Sequence, residues 1–371
     1  MAMRAVQKSA VDVVRLVKAI EEVGPRNLSL VSRLTGIPVE TVRYNVRVRL
    51  PRLGFRFRPV VDEGRLGLVK YFLRLRFYED DEQDASELLN ILARTAFLTY
   101  YASLAPHDGY VALASVPVEF EEEYQRLFED LVELGVLASC ELYPLDEVWK
   151  TSTDIRGFDL VTGRWNFNYT PANGGSIHRS IRLKRPDGDE EPIDKVDLLI
   201  IKELQKDALQ PFTKMAKSLG ISAPVISYHY KEHVVGRGLI QKYVLTWSNR
   251  GSFHEGEHLG LVLMCRGVDE DVLTRTNRVL QAIPFSSFEG LSLERAFYVF
   301  ISTIPSSWLL RVLRLVKNEV RLCNVDLLFI EQSRHFTIPY EFYDDAMGWL
   351  FDRKKVLEAL GRLADHAEYV T

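Results

Sequence analysis

The residues of this chain that most clearly could do chemistry are arginines concentrated near the N-terminus. Between Arg26 and Arg58 the sequence has eight arginines and a single acid, Glu40, which is a net charge of +7. The whole 371-residue chain has a formal net charge of −4. Guanidinium groups bind phosphates and guanine edges through two parallel hydrogen bonds, and cationic side chains release counterions from DNA. The segment therefore predicts contacts with duplex DNA.

A helix-turn-helix would position these arginines. The segments "NLSLVSRLTG" and "PVETVRYNVRVRL" predict two short helices joined at Gly36, behind a supporting helix "VDVVRLVKAIEEVG". Val42, Val46 and Leu50 recur at every fourth position and should face inward. The outward residues near the start of the second short helix, where side chains meet base edges, are Glu40, Thr41, Arg43, Tyr44 and Arg47. Residues placed for phosphates are Arg33, Arg49, Arg52, Arg56 and Arg58. The following "GFRFRPVV" alternates like a strand and predicts a wing.

The same plan returns 184 residues later in the chain. This single offset aligns Gly36, Tyr44, Trp165 and Phe167 with Gly220, Tyr228, Trp349 and Phe351. Twice the offset is almost the length of the chain, so we interpret the sequence as an internal duplication.

The second copy predicts its own helix-turn-helix. "IDKVDLLIIKELQKDA" and "PFTKMAKSLG" form its first two helices, and a third begins after Ser222 with Ile226, Tyr230 and Val234 inward. The outward residues predicted to contact DNA are Ser227, Tyr228 and Lys231, with Lys217 directed towards phosphate. Between Asp194 and Lys242 eight basic and five acidic residues leave a net charge of +3, so this head is expected to bind DNA more weakly.

Residues 193–222, "IDKVDLLIIKELQKDALQPFTKMAKSLGIS", resemble the opening of the leucine-responsive regulator/AsnC family, here as an archaeal-type tandem duplication. The resemblance implies a DNA-binding head followed by a βαββαβ domain that takes a small-molecule effector such as an amino acid. Gly290 in "FEGLSLE" partly matches the family's glycine-rich effector turn. The chain departs from the family at "YHYKEHVVGRG", where an arginine-bearing recognition helix is usual, so the second head binds either DNA of another sequence or a transcription-machinery protein.

Alternating and helical patterns after each head predict two ferredoxin-like βαββαβ domains, making an α+β fold in which the copies pair as an intramolecular pseudo-dimer. The predicted divisions are residues 1–62, a first winged helix-turn-helix; 63–150, a first ferredoxin-like domain; 151–192, a tail and basic linker; 193–247, a second helix-turn-helix; 248–334, a second ferredoxin-like domain; and 335–371, a tail and C-terminal helix. The linker carries His178, Arg179, Arg182, Lys184 and Arg185. Val356, Leu360 and Leu363 form an apolar face on the last helix, which packs on its own domain or joins a homodimer.

The composition and the cysteine spacing bear on the membrane, disulfide and zinc-binding classes of protein. No apolar run reaches the length of a membrane helix, so we expect no membrane partner and a cytoplasmic protein. The cysteines Cys140, Cys265 and Cys323 lie far apart, which favours buried thiols over a disulfide or zinc site.

An enzyme is the main alternative, because siroheme decarboxylases, which act on tetrapyrroles, are built from the same head and βαββαβ units. The one histidine in a suggestive turn, His107 in "APHDGY", has Leu291 as its counterpart in the second copy. We find no nucleophile with its base, no metal motif and no phosphate loop. We therefore expect a DNA-binding transcriptional regulator that is not an enzyme and holds no metal or cofactor. A protein-binding adaptor is the third possibility.

Overall fold

The computed structural model describes residues 2–78, 82–166, 168, 180–188, 191–247, 258–280, 282–319 and 323–367. The helices are α1 (Ala2–Val23), α2 (Leu28–Thr35), α3 (Val39–Tyr44), α4 (Leu50–Arg52), α5 (Glu82–Thr95), α6 (Glu121–Glu133), α7 (Lys195–Lys206), α8 (Phe212–Leu219), α9 (Ala223–Tyr228), α10 (Glu270–Leu280), α11 (Leu309–Glu319) and α12 (Arg353–Ala367). Among these described helices, none combines the length and apolarity needed to cross a bilayer.

The described strands include two groups of four that are consecutive in the chain. They are β1 (Phe55–Val61), β2 (Leu68–Phe77), β3 (Leu98–Ala105), β4 (Tyr110–Pro117), β5 (Leu137–Pro144), β6 (Glu147–Thr151), β7 (Phe158–Asp159), β8 (Arg164–Trp165), β9 (Ser180–Lys184), β10 (Ile240–Trp247), β11 (His258–Arg266), β12 (Ser287–Ser292), β13 (Phe297–Pro305), β14 (Cys323–Leu328), β15 (Arg334–His335), β16 (Tyr343–Asp344) and β17 (Gly348–Trp349).

The first head consists of α1 to α4 and β1. The Asn27 side chain accepts a hydrogen bond from the Leu30 amide and caps α2, which ends at Gly36 in the left-handed conformation. The predicted recognition helix, which is the second short helix of the helix-turn-helix, starts with α3 and continues through a π-helical segment, Asn45–Arg49, into α4. Val42 and Val46 are fully buried, so the fourfold spacing marks the inner face of this helix as predicted.

The second head consists of α7 to α9 and β10, and its recognition helix also continues from an α segment into a π segment, His229–Val235. The two heads are joined through their wings. Strand β1 pairs antiparallel with β10, from Phe55 opposite Trp247 to Val61 opposite Ile240. Each head therefore completes the wing of the other.

Two βαββαβ units follow the heads. The first has the sheet order β5-β2-β4-β3 and the second has the order β14-β11-β13-β12. The edge strand β3 of the first unit pairs with β14 and β15 of the second, and the edge strand β12 of the second pairs with β6, which follows the first. These pairings satisfy edge strands that would otherwise be open to aggregation.

The inner faces of the two sheets share one apolar core. Its centre is the Phe297 ring, which stacks on Tyr143 at 3.7 Å between ring centres and on Phe72 at 5.4 Å. Burying one such ring stabilises the fold by about 1.5–3 kcal/mol, so this core fastens the two units together. The outer faces are covered by α5 and α6 on one unit and by α10 and α11 on the other.

The predicted basic linker is partly wrong. Residues 180–184 form β9, which pairs with β6 at the edge of the large sheet, Leu183 opposite Val148. Arg182 is bonded to Glu147 on that strand, and Arg185 pairs with Glu121. This stretch is therefore part of the sheet and not a free linker. Its residues alternate like a strand, and they pair with the open edge of β6. His178 and Arg179 lie outside the described residues.

The prediction of three buried thiols is also wrong. Cys265 and Cys323 lie directly opposite each other on β11 and β14, with their Cα atoms 4.0 Å apart, and form a disulfide. Cys140 is the free cysteine, and burial raises the pKa of its thiol. The two bonded cysteines are far apart in sequence, so their spacing gave no sign of this contact.

The C-terminal helix packs within the chain. Val356 and Leu360 are buried, and Arg353 forms an ion pair of 3.1 Å with Asp130 on α6 of the first unit. Just before the helix, the Trp349 indole donates to the Leu66 carbonyl at 2.8 Å. The tail that follows the second sheet unit thus covers helices of the first unit. The Leu363 side chain lies outside the described residues.

Candidate nucleic-acid interface

The first recognition helix presents its predicted base-contacting residues to solvent. Thr41, Arg43, Tyr44 and Arg47 are all exposed, and the Tyr44 side chain is 53% exposed. Arg43 forms an ion pair with Glu40 one turn earlier at 2.6 Å, and both side chains are exposed. Such surface pairs contribute about 0–1 kcal/mol, so a phosphate or base edge can displace Glu40 at little cost.

The five arginines of the first head that were predicted to contact phosphates differ in exposure and in their partners. Arg33, Arg52 and Arg56 are exposed, whereas Arg49 is half-buried. Arg58 is exposed but donates a hydrogen bond to the Gln205 carbonyl of the second head at 2.7 Å. Arg58 therefore joins the two heads through this hydrogen bond, and its contact with phosphate stays a prediction.

Arg26, the first arginine of the cluster, is also used between the heads. Its guanidinium lies 3.9 Å from the Phe212 ring centre and donates to the Gln210 carbonyl at 2.6 Å. Burial lowers the pKa of this guanidinium, although the neighbouring Tyr230, Tyr243 and Asp207 act in the opposite direction. Arginine still remains charged in such a site, because the guanidinium is too strong a base to lose its proton in a protein. Two of the eight arginines thus hold the heads together.

The second recognition helix has a different surface. Tyr228 is 58% exposed, Lys217 and Lys231 are exposed, and Ser227 is half-buried. The Tyr228 ring contacts His229 and His233 edge to face at 5.7 and 5.5 Å between ring centres. This helix therefore offers one aromatic ring and few cations, which is a poorer surface for phosphate than that of the first head.

A family comparison bears directly on this second head. Residues 193–232 match the winged helix-turn-helix DNA-binding family model. The winged helix-turn-helix match begins just before α7 and ends inside the third helix, so it includes α7, α8 and α9. It covers a small part of the chain and supports the presence of this unit, not the function of the whole protein.

Comparisons with solved structures extend over nearly the whole chain. The chain is similar to the crystal structure of the siroheme decarboxylase NirDL, with a TM-score of 0.53 and 12% identity, over 94% of this chain and 99% of that one. The same values hold for NirDL in complex with an iron-uroporphyrin III analogue. A transcriptional regulatory protein of the AsnC family from Pyrococcus furiosus aligns over 36% of this chain and 87% of that one with 20% identity, at a TM-score of 0.25. No curated protein matches the sequence.

The expectation that the chain is not an enzyme is contradicted by these comparisons. A solved structure that shares the fold over almost the full length of both chains is a decarboxylase. The error came from requiring a recognisable catalytic motif, since a fold can be shared at 12% identity without any local pattern in common. At this identity the similarity shows the fold alone, and the decarboxylation reaction is not transferred to this chain.

The structure also places the two remaining candidates, Gly290 and His107. Gly290 lies in the middle of β12, paired with Val299 on one side and Val148 on the other, and not in a turn. A Cβ atom there would lie 2.5 Å from Leu145 Cδ1, so tight packing explains the glycine. His107 is largely exposed but bonds through Nδ1 to the buried carboxylate of Asp326. Effector binding at Gly290 remains a prediction.

Sequence reasoning missed one group of side chains that could bind a metal ion. Asp194, Asp197, His229 and His233 bring one ligand atom each to within 4.8 Å of one another, the sole such group among the described residues. The two pairs are more than 30 residues apart, and only the packing of α7 against the third helix brings them together. The signal that could have found them is the pair of histidines four residues apart on one helix.

Proposed function

We propose that this protein is a DNA-binding transcriptional regulator of the cytoplasm that contacts duplex DNA mainly through its first head, with the second head assisting. The observation that carries the proposal is the exposed face formed by Arg43, Tyr44 and Arg47, held outward because Val42 and Val46 are buried behind it. Arginines near the start of a recognition helix are placed to read base edges in the major groove. The family match in the second head supports the same class of partner.

The proposal includes an origin by tandem duplication, with the two copies forming an intramolecular pseudo-dimer. Three exchanges support it: β1 with β10 between the heads, β3 with β15, and β12 with β6. In each unit the strand that follows the last sheet strand crosses to the edge of the other unit, as in a two-fold dimer. One chain therefore presents two heads that differ in charge and in recognition residues.

Selection from a random pool tests the DNA proposal. Purified protein is incubated with random duplexes at moderate salt, and bound DNA is amplified and sequenced through several rounds. A regulator with base-reading arginines enriches one motif, and binding to that motif weakens steeply as salt rises because phosphate contacts release counterions. Failure to enrich any motif, with binding no better than to unrelated duplexes, would contradict sequence-specific recognition.

A second candidate function is binding of an anionic tetrapyrrole, favoured by the fold shared with siroheme decarboxylase NirDL. An open groove of about 750 Å³ beside β9 is lined by Arg65, Arg182, Lys184 and Arg185, which suit carboxylates. Three of these residues are already paired with Glu191, Glu147 and Glu121, so this groove has less free charge than the first recognition helix. Visible absorption during titration with an iron-uroporphyrin tests this candidate: a shifted Soret band supports it, and an unchanged spectrum excludes it.

A further inference from the structure

Two acids and two histidines meet at the base of the second head. Asp194 and Asp197 lie at the N-terminus of α7, and His229 and His233 lie one turn apart on the third helix. His229 Nδ1 is 2.9 Å from Asp197 Oδ1 and 3.5 Å from Asp194 Oδ2. His233 Nδ1 is 3.1 Å from the same Asp197 oxygen. Two imidazole nitrogens therefore converge on one carboxylate oxygen.

The carboxylates are held in place by the helix they begin. Asp194 and Asp197 form a reciprocal capping box, in which Asp194 Oδ1 accepts from the Asp197 amide at 3.0 Å and Asp197 Oδ2 accepts from the Asp194 amide at 3.2 Å. Asp194 thus uses Oδ1 for the backbone and directs Oδ2 at His229, whereas the two oxygens of Asp197 lie 3.1 and 3.2 Å from His233 Nδ1. This is the arrangement in which outer hydrogen bonds orient metal ligands.

Burying the ionised carboxylates of this group costs free energy unless a cation lies beside them. The Asp197 side chain is fully buried, each histidine side chain is 14% exposed, and Asp194 is 38% exposed. An ionised carboxylate removed from water needs a compensating cation and hydrogen bonds. A metal ion bound between the two carboxylates and the two imidazoles would supply that cation.

We propose that these four side chains bind one divalent transition metal ion, with zinc as the best match to their chemistry. Imidazole nitrogen and carboxylate oxygen are zinc ligands with bond lengths of about 2.0–2.2 Å, and four ligands suit its tetrahedral geometry. Tetrahedral ligands at such lengths lie about 3.4 Å apart. The ligand atoms now lie between 2.9 Å and at most 4.8 Å apart, so the closest pairs would move slightly apart and the most distant pairs slightly together.

The site belongs to the second head alone. At the 184-residue offset, the counterparts of the four ligands are Ala10, Val13, Asn45 and Arg49, none of which is an acid or a histidine. The same comparison explains why the second recognition helix departs from an arginine-rich sequence: its "YHYKEH" carries the ligands. A metal ion here would tie the start of α7 to the recognition helix beside Tyr228 and stabilise the second head.

Metal titration of tag-free, EDTA-treated protein tests the site. Cobalt(II) should bind with one equivalent and give visible absorption bands of tetrahedral intensity, which zinc then displaces. His229→Asn with His233→Asn should weaken cobalt binding at least tenfold. Asp194→Asn should also weaken it, while Asn preserves the helix cap and so the fold. His107→Asn is the matched control, since it removes a histidine paired to a single buried acid, and should bind cobalt like the parent protein.

Zinc should also raise the melting temperature of the parent protein and of the His107→Asn variant, but not that of the double histidine variant. The proposal is overturned if the parent protein shows no cobalt bands, which would leave a hydrogen-bonded histidine–aspartate cluster. It is equally overturned if the double histidine variant, shown by circular dichroism to be folded, binds cobalt as tightly as the parent. Neither outcome depends on DNA binding.

Discussion

The guanidinium of Arg26 lies 3.9 Å from the centre of the Phe212 ring, so a residue just after the first head's supporting helix is packed into the second head. The same guanidinium donates to the Gln210 carbonyl. Together with the paired wings, this contact holds the two heads in one relative orientation. DNA would therefore meet a rigid pair of recognition helices.

Removing the contact between Arg26 and Phe212 should lower the free energy of unfolding, because it joins the two heads. Arg26→Ala loses a buried cation–π contact and leaves the Gln210 carbonyl without its donor, which together should cost about 2–4 kcal/mol of unfolding free energy. Chemical denaturation measures the loss, and Arg33→Ala, an exposed arginine of the same head, is the control, expected to change stability by less than about 0.5 kcal/mol. Equal stability of the two variants would show that Arg26 does not fasten the heads.

One chain should protect an asymmetric DNA sequence. Dimeric regulators favour palindromes because their heads are identical and lie about 34 Å apart. Here the heads differ, with Arg43 and Arg47 on one recognition helix and Ser227 and Lys231 at the corresponding positions of the other. Footprinting at a concentration where light scattering shows single chains measures the protected sequence. A symmetric footprint centred on a palindrome would mean that both heads read the same half-site.

Gly290→Ala should destabilise the inner core. The added Cβ would lie 2.5 Å from Leu145 Cδ1 and 3.2 Å from Val299 Cγ1, and Leu145 is fully buried, so the expected cost is about 1–3 kcal/mol. Gly361→Ala in α12 is the control, because its Cβ meets no atom within 4 Å and alanine favours a helix. If Gly290→Ala were as stable as the parent, the strand would have spare room, as an effector site would need.

Lys150 should make stability depend on pH. Burial lowers the pKa of its ammonium group from 10.5 to about 8, with nearby Lys70 acting in the same direction. Between these two pH values the unfolded chain binds more protons than the folded one, so this group makes stability rise with pH. Lys150→Met should therefore stabilise the protein at pH 7 by about 1–2 kcal/mol after allowance for remaining exposure.

That gain should shrink as the pH approaches 10. Urea denaturation of both proteins at several pH values measures the difference, which cancels the titration of other groups. A difference that stayed constant from pH 7 to 10 would show that Lys150 keeps its ordinary pKa in the folded protein.

Local patterns in the sequence were enough to predict the recognition helices. The fourfold spacing of Val42 and Val46 identified the buried face, and Arg43 and Tyr44 between them are exposed as expected. This works because a helix converts sequence spacing directly into direction. The same holds for the alternation that predicted β1 and the order of elements in the sheet domains.

Contacts between distant residues could not be predicted in this way. The pairing of β1 with β10, the bond between Cys265 and Cys323 and the edge position of β9 each depend on which open strand a segment meets. No local period encodes that choice. The group of Asp194, Asp197, His229 and His233 was not predicted for the same reason. The two acids and the two histidines lie on different helices, and neither pair alone indicates a metal site.

The measurement that tests the central claim most directly is a fluorescence anisotropy titration of a selected duplex with matched double variants. Arg43→Ala with Arg47→Ala should lose about 2–6 kcal/mol of binding free energy, because each base contact contributes about 1–3 kcal/mol. Tyr228→Ala with Lys231→Ala should lose less. Arg76→Ala with Arg126→Ala, two exposed arginines of the first sheet domain, should bind like the parent. If the Arg43 and Arg47 variant bound as tightly as this control, the first recognition helix would not be the DNA-reading element and the account would be wrong.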